Sequence, residues 1–370
     1  MIKVLFVTNL PSPYRVEFFN ELGKHVELTV IYERHSASDR DSKWKGTKAN
    51  CFNEIYLNSR CIGTDKTIGF QLIKEIKKHK FDFLVFGGHN SPSVMFAITY
   101  CRFHKIPFYI ESDGGFNKKD KFPKNLLKKF LICKAKGHFV TCEEYKNYLL
   151  GLGISDDKIF KYPFSSIHKD EILSEPVSQD EKLDLRKKLG MTEDKIILSV
   201  GQFIHRKGFD VLLKAAVNLP PGVGVYIVGG EPTDEYLNLK DSLNLKNIYF
   251  EGFKTKIELD SYYKAADLFV LPTREDVWGL VINEAMACGL PVVTTNKCNA
   301  GVEMIADNSC VIDSDDTNKL VDIVLKILND SCYASGLALC NLNTSSRYSI
   351  EAMAQRHVVL LSQLGDTNEP

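Results

Sequence analysis

Short apolar runs alternate with longer amphipathic stretches along most of the chain, and this rhythm predicts its elements. Residues 3–8 read as a buried strand, 13–24 as a helix and 26–32 as a second strand. Residues 66–78 read as a helix and 81–86 as a strand. The alternation continues through a helix at 93–104, a strand at 107–111, a helix at 123–136, a strand at 138–141, a helix at 143–152 and a strand at 158–162. Strands interleaved with crossover helices predict a mostly parallel sheet covered on both faces.

The pattern then breaks. Residues 166–180 are polar and lack strand periodicity, as a linker does. It restarts with strands at 195–200, 223–228, 247–250, 268–271 and 291–295, separated by helices at 207–218, 257–266 and 280–288. After Asp313 the strands stop, and 316–329 and 349–364 read as helices. The last of these needs cover for Met353, His357, Leu360 and Leu361, which the first domain can offer. The expected fold class is therefore α/β, with two doubly wound Rossmann-like domains facing across a cleft. The expected divisions are 1–165, a linker at 166–180, 181–347, and a crossover helix and tail at 348–370.

Bulk composition narrows the partners. The 370 residues, 44% hydrophobic and 25% charged, suit two ordinary cores. A formal net charge of zero gives no global attraction to nucleic acid. No run reaches the ~18 apolar residues of a membrane span, and the opening apolar run, soon followed by Pro11 and Pro13, is too short for a signal peptide. The ten cysteines sit singly, without zinc or redox spacing, and read as small core residues of a cytoplasmic protein. No metal cluster is expected.

In open α/β sheets ligands bind beyond the carboxyl ends of the strands, so the strand-to-helix loops carry the chemistry. The densest runs from Leu271 to Val293, LPTREDVWGLVINEAMACGLPVV. A helix N-terminus there offers free N–H groups to a diphosphate. Asp276 sits at the loop mouth and Glu284 up to ~12 Å further along the axis, a span that suits two carboxylates gripping different hydroxyls of one elongated ligand. Asp276 as a helix cap and Glu284 as a solvated residue is the competing structural role, but Glu284 is ringed by Ile282, Ala285, Met286 and Ala287. The second loop, Gly201-Gln202-Phe-Ile-His205-Arg206-Lys207-Gly208, places two cations where the next helix starts. Cations there oppose the helix dipole, and a bound phosphate would reverse that penalty. A solvated charged turn is the alternative.

These two segments resemble the nucleotide-sugar half of retaining glycosyltransferases of family 4, or group 1, which have the two-Rossmann GT-B architecture. The resemblance covers nearly the whole chain, and GLVINEAMACGLPVV is its specific part. It implies a retaining, metal-independent transfer from a nucleotide sugar, with UDP or GDP as the leaving group and no cofactor. The acceptor would be a saccharide or lipid-linked saccharide in cell-surface polysaccharide or glycolipid synthesis. By position, Glu284 would hold the donor ribose, and Asp276 with the backbone of Val277, Trp278 and Gly279 the transferred sugar. The N–H groups of Leu280 and Val281 would face the diphosphate, and Lys207 would bind phosphate. Asp276 stands where the family has glutamate, with Glu275 beside it. Gln202 after Gly201 stands where arginine is common, so Arg206 would supply the second positive charge.

In the first half, Pro13, Tyr14 and Arg15 follow the first strand, in place of the glycine-rich loop of many relatives. His89 follows the 81–86 strand, and Glu111, Asp113 and Gly114 follow the next. These are the expected acceptor-side residues, with Asp113 a candidate for catalysis alongside Asp276, Glu284 and Lys207. The stretch from Lys118 to Lys136 carries eight lysines and one aspartate around an apolar face. It reads either as a half-solvated core helix or as a contact with the anionic inner face of a membrane. The competing functional readings are a sugar-nucleotide epimerase of this fold and a non-catalytic partner subunit.

Overall fold

The computed structural model describes residues 1–35, 48–58, 60–62, 66–116 and 122–366. In chain order it begins β1 (Lys3–Thr8), α1 (Pro13–Leu22), β2 (Glu27–Tyr32), β3 (Asn53–Tyr56), β4 (Arg60–Ile62), β5 (Lys66–Ile68) and α2 (Gln71–Lys78). It continues with β6 (Phe83–Gly87), α3 (Pro92–Phe103), β7 (Tyr109–Ser112), α4 (Phe122–Ile132), β8 (Gly137–Val140), α5 (Glu143–Gly151) and β9 (Ile159–Lys161). Next come α6 (Gln179–Leu189), β10 (Lys195–Val200), α7 (Phe209–Ala216), β11 (Val223–Val228), α8 (Asp234–Ser242), β12 (Ile248–Glu251) and α9 (Lys256–Ala265). The remainder is β13 (Leu268–Leu271), α10 (Leu280–Ala287), β14 (Val292–Thr295), α11 (Asn299–Met304), β15 (Val311–Ile312), α12 (Thr317–Asn329), α13 (Ser331–Ser345) and α14 (Ile350–Asp366).

Two compact units result, one from Met1–Ser165 with the segment from Ser349 onward, the other Ser166–Tyr348. The first holds a seven-stranded sheet ordered β3-β2-β1-β6-β7-β8-β9, the second a six-stranded sheet ordered β12-β11-β10-β13-β14-β15. All neighbours within these sheets are parallel. Parallel strands covered on both faces read as unbroken apolar runs, and β11, β13 and β14 are buried at every position. This is the two-domain α/β class that the alternation predicts. In each sheet the strand order reverses once, between β1 and β6 and between β10 and β13. Those reversals are where loops diverge and open a ligand crevice.

The terminal helix packs on the first unit. α14 lies against α1, Met353, Leu360 and Leu361 are buried, and the His357 ring sits 4.9 Å from that of Phe18.

Several elements depart from the sequence pattern. Residues 66–78 are not one helix: β5 pairs antiparallel with β4, and only from Gln71 does the chain turn helical. The helix expected at 207–218 starts at Phe209, because Gly208 takes the left-handed conformation (φ 70°). The stretch read as a linker is packed: Leu173 donates its N–H to the Ala287 carbonyl (3.0 Å) and Pro176 touches Gly289.

Candidate active site

In the second unit, the loops leaving β10 and β13 flank the reversal in strand order. Gly208 presses them together. A Cβ at that position would lie 2.0 Å from the Pro272 carbonyl oxygen, so only glycine permits the approach. The Arg206 carbonyl then accepts from the Arg274 N–H and the Thr273 hydroxyl, both at 2.8 Å. Arg274 reaches back to Asp210 through two nitrogens (2.7 and 2.8 Å) and to the His205 carbonyl (2.8 Å). Nothing in its local sequence marks Arg274 as a clamp, and only its partner 64 positions away reveals it.

This scaffold brings two of the candidate residues into contact. Lys207 Nζ donates to Asp276 Oδ2 at 2.5 Å, and Arg206 Nη1 stands 3.7 Å from Oδ1. The side chains of Lys207 and Asp276 are 12% and 13% exposed, so solvent screens their pairing only weakly. Asp276 is fixed from behind by its N–H to the Lys297 carbonyl (2.7 Å) and by a parallel bridge to Cys298. The cations do not sit on the first turn of a helix, as the sequence pattern predicts. They lie on a separate 3₁₀ turn, His205–Lys207, before Gly208. Arg206 also donates to the Glu275 carbonyl (2.6 Å), and Gln202 is exposed.

α10 starts at Gly279, whose φ of 99° turns the chain into the helix. A Cβ there would meet Cys298 Sγ at 2.6 Å. The Trp278 side chain is not part of an open surface. It is buried, and its indole N–H donates to Asn283 Oδ1 at 2.8 Å. The carbonyls of Val277 and Trp278 turn inward, accepting from Asn299 Nδ2 (2.7 Å) and the Ala300 N–H (2.8 Å). Leu280 and Val281 occupy the first helical positions, where N–H groups have no intrahelical acceptor.

Glu284, one turn further on, accepts from Ser166 Oγ (3.1 Å) and Tyr263 OH (2.9 Å). Burial pushes its carboxyl above the ordinary range, and the two hydroxyls pull it back only in part. Lys256 steadies Ser166 by donating to its carbonyl at 3.1 Å. Ser166 and Tyr263 escaped the sequence reading, one inside the polar stretch taken for a linker and the other on a helix with no motif.

In the first unit, the residues after β1 and β7 converge on one guanidinium. Arg15, on α1, donates to Glu111 Oε1 at 2.5 Å and to Asp113 Oδ1. Arg15 is 5% exposed and Glu111 fully buried, whereas the Asp113 side chain is one-third exposed. Phe18 and Phe164 lie 5.8 and 5.3 Å from the guanidinium carbon, and Tyr14 packs edge-on against Phe164. Glu111 also meets His357 Nε2 (2.9 Å), while His357 Nδ1 faces the Met353 carbonyl (2.8 Å). Burial disfavours charge on Glu111, but Arg15 and His357 outweigh it and bring its pKa down to about 2. Asp113 shifts upward, because burial and the Glu111 charge outweigh Arg15. Asp113 is therefore the exposed end of an ion network and not an isolated acid.

The structure leaves His89 outside this network. It is 8% exposed, its Nε2 has no hydrogen-bond partner, and burial lowers its pKa to about 4. Pro13 opens α1 and Gly114 takes a φ of 120° after β7.

Residues 181–339, nearly all of the second unit, match the family model described as glycosyl transferases group 1. The second unit thus carries the group 1 glycosyl transferase pattern, and the relatives of the chain are named glycosyltransferases. Among its relatives is the N,N'-diacetylbacillosaminyl-diphospho-undecaprenol alpha-1,3-N-acetylgalactosaminyltransferase of Campylobacter jejuni. It is 22% identical over 80% of this chain and 80% of its own. The alpha-galactosylglucosyldiacylglycerol synthase of Streptococcus pneumoniae is 28% identical over 51% of this chain and 52% of its own, so the chain spans about half the length of that relative. Among solved structures, sucrose-phosphate synthase from Thermosynechococcus elongatus superposes over the whole of both chains with a TM-score of 0.77 at 18% identity. Anabaena HepE in complex with UDP does so over 98% of this chain and 100% of its own, at TM-score 0.77 and 16% identity. These likenesses establish the GT-B fold class for the chain.

Proposed function

We propose that the enzyme is a retaining, metal-independent transferase that moves a sugar from a UDP-sugar to a lipid-linked saccharide in cell-surface polysaccharide or glycolipid synthesis. The observation that carries the donor side is the meeting of Lys207, Arg206 and Asp276 at the strand-order reversal, beside the N-terminus of α10. A diphosphate leaving group needs preorganised positive charge where its own charge develops. Lys207, Arg206 and the N–H groups of Leu280 and Val281 are that charge. Glu284, already oriented by Ser166 and Tyr263, holds the ribose hydroxyls. Asp276 holds the transferred sugar. The choice of UDP is supported by HepE, which was crystallised with UDP and with UDP-glucose. The lipid-linked acceptor is supported by the undecaprenol-linked substrate in the name of the Campylobacter relative. The acceptor is assigned to the first unit, with Asp113 offering its exposed face and Arg15 positioning it.

Thermal unfolding with UDP, GDP, ADP, CMP and NAD tests the donor side. A ligand at a hundredfold its Kd stabilises by ~2.7 kcal/mol, a shift of several degrees. UDP is expected to give that shift, and Glu284→Ala to lose most of it. A wild-type protein that responds to no nucleotide sinks the donor assignment.

The basic stretch favours a membrane surface over a plain half-solvated helix. Residues 117–121 lie outside the described residues, but on α4 the apolar Leu126, Leu127 and Phe130 are exposed (59, 46 and 40%) alongside its lysines. Neighbouring α3 adds Phe103, 77% exposed, and stacks Arg102 over the Phe130 ring at 3.8 Å. Lysines and bare apolar side chains on one surface suit an anionic bilayer, each lysine near it contributing ~1 kcal/mol. In sedimentation, the enzyme should follow vesicles containing anionic lipid and not neutral ones, and Lys124→Glu with Lys129→Glu should lose this. Equal binding to both vesicle types would refute it.

A further inference from the structure

The second unit has a cavity of about 140 Å³ at the opposite end of its sheet from the donor loops. Lys195 opens β10, Asp267 immediately precedes β13 and Pro291 immediately precedes β14, and all three line it. The cavity therefore lies at the amino ends of the strands. Neither the donor reading nor the acceptor reading uses it.

Its charges do not balance. Asp267 is the only carboxylate in the lining, and it is already committed. Its Oδ2 accepts from Arg186 Nη2 (2.6 Å) and from the Ile196 N–H (2.8 Å). Arg186 behind it donates also to the carbonyls of Ala265 and Asp194. That pair cancels. Lys182 remains, its side chain 12% exposed, with one contact to Asp267 Oδ1 at a long 3.4 Å. Burial lowers its pKa, Asp267 only partly offsets that, and Arg186 and Lys195 repel it further. Lys195 makes no ion pair among the described residues. The third lysine of the wall, Lys264, is spoken for by Asp260 at 2.8 Å. Lys182 and the partly exposed Lys195 thus repel each other beside a carboxylate that is already committed, and an anion between them would relieve that repulsion. The rest of the polar lining supplies donors to such an anion: the hydroxyls of Ser331 and Ser335 on the first turns of α13, and the Gln179 amide.

We propose that this cavity is a second anion site, taking a compact phosphate between Lys182 and Lys195 with hydroxyl donors from α13. Tyr263 lines the same cavity and donates to Glu284, so an occupied site would also be felt at the donor ribose. That coupling rests on the donor reading; the binding itself does not.

Calorimetric titration with inorganic phosphate at fixed ionic strength tests the binding on the intact enzyme. Saturable binding is expected, and Lys195→Met should weaken it at least tenfold. Lys207→Ala, which removes the phosphate-binding charge of the donor loops, should leave it unchanged. Lys182→Met should act like Lys195→Met; if it fails to fold, the partly exposed Lys195 carries the test alone. Absence of binding, or binding lost with Lys207 and kept without Lys195, overturns the proposal. UDP-induced stabilisation of Lys195→Met, measured beside it, shows separately whether the donor reading stands.

Discussion

Lys207→Ala is expected to lower kcat/KM by about 10²–10³-fold, the range found when one preorganised donor to a developing oxyanion is removed. The loss should fall mainly on kcat, because the diphosphate gains charge as the glycosidic bond breaks. Some stability should be lost as well, since the largely buried Asp276 gives up its 2.5 Å partner, but the fold should survive. Asp276 keeps Arg206 at 3.7 Å, the bond from its N–H to the Lys297 carbonyl and its bridge to Cys298. Lys207→Arg is not expected to restore the rate. The lysine stem packs over Gly201, where even an added Cβ would stand 3.3 Å from it, leaving little room for a planar guanidinium. Steady-state kinetics with whichever nucleotide sugar stabilises the wild type would check this, with thermal unfolding run on both variants. A Lys207→Ala enzyme with wild-type kcat/KM would remove Lys207 from the chemistry.

The contrast between what the sequence shows of this site and what it hides has a physical basis. Strand alternation is a local property, so the parallel cores around β1, β10 and β13 are legible residue by residue. Elements whose stability comes from tertiary cover are not. α13 (SCYASGLALCNLNTS) has small residues on every side, and only burial of Leu337, Ala338 and Leu342 shows which face is inner. The two-strand ribbon of β4 and β5 hides inside a helical pattern because Lys66–Ile68 is too short for a period to emerge. The same division holds at the site. Strand-end loops, glycines and the charges of Lys207 and Asp276 are visible in order, but the contact between them spans 69 positions. Arg274, Ser166 and Tyr263 belong to the machinery only through partners that are remote in sequence. The indole of Trp278, prominent in the motif, is a buried brace.

A second large effect is expected in the first unit. Arg15→Met should destabilise the first unit by about 3–5 kcal/mol, the cost of leaving buried charge without its partner, and lower its unfolding midpoint by on the order of 10 °C. Glu111 is fully buried and would keep only His357 as a counter-ion, while Asp113 would lose the group that now holds it. The double variant Arg15→Met with Glu111→Leu should recover much of the loss, since an ion pair replaced whole by apolar groups is often neutral or better. Acid should act on the same network. Glu111 is held at about 2 in the fold against an ordinary 4.5, so its contribution is complete above the ordinary value and drains away as pH falls toward 2. Asp113, shifted upward, works in the opposite sense but is partly exposed and weaker. Thermal unfolding of the three proteins from pH 7 to pH 3 would decide it. A single variant as stable as wild type would mean that water reaches Glu111 and screens the pair. A large loss with recovery in the double variant would mean that α14, through His357 on Glu111, is tied to the first unit by a buried charge network as well as by its apolar face. The helix at the end of the chain would then be part of the first unit's stability, and shortening the chain before Ser349 would cost that unit its fold.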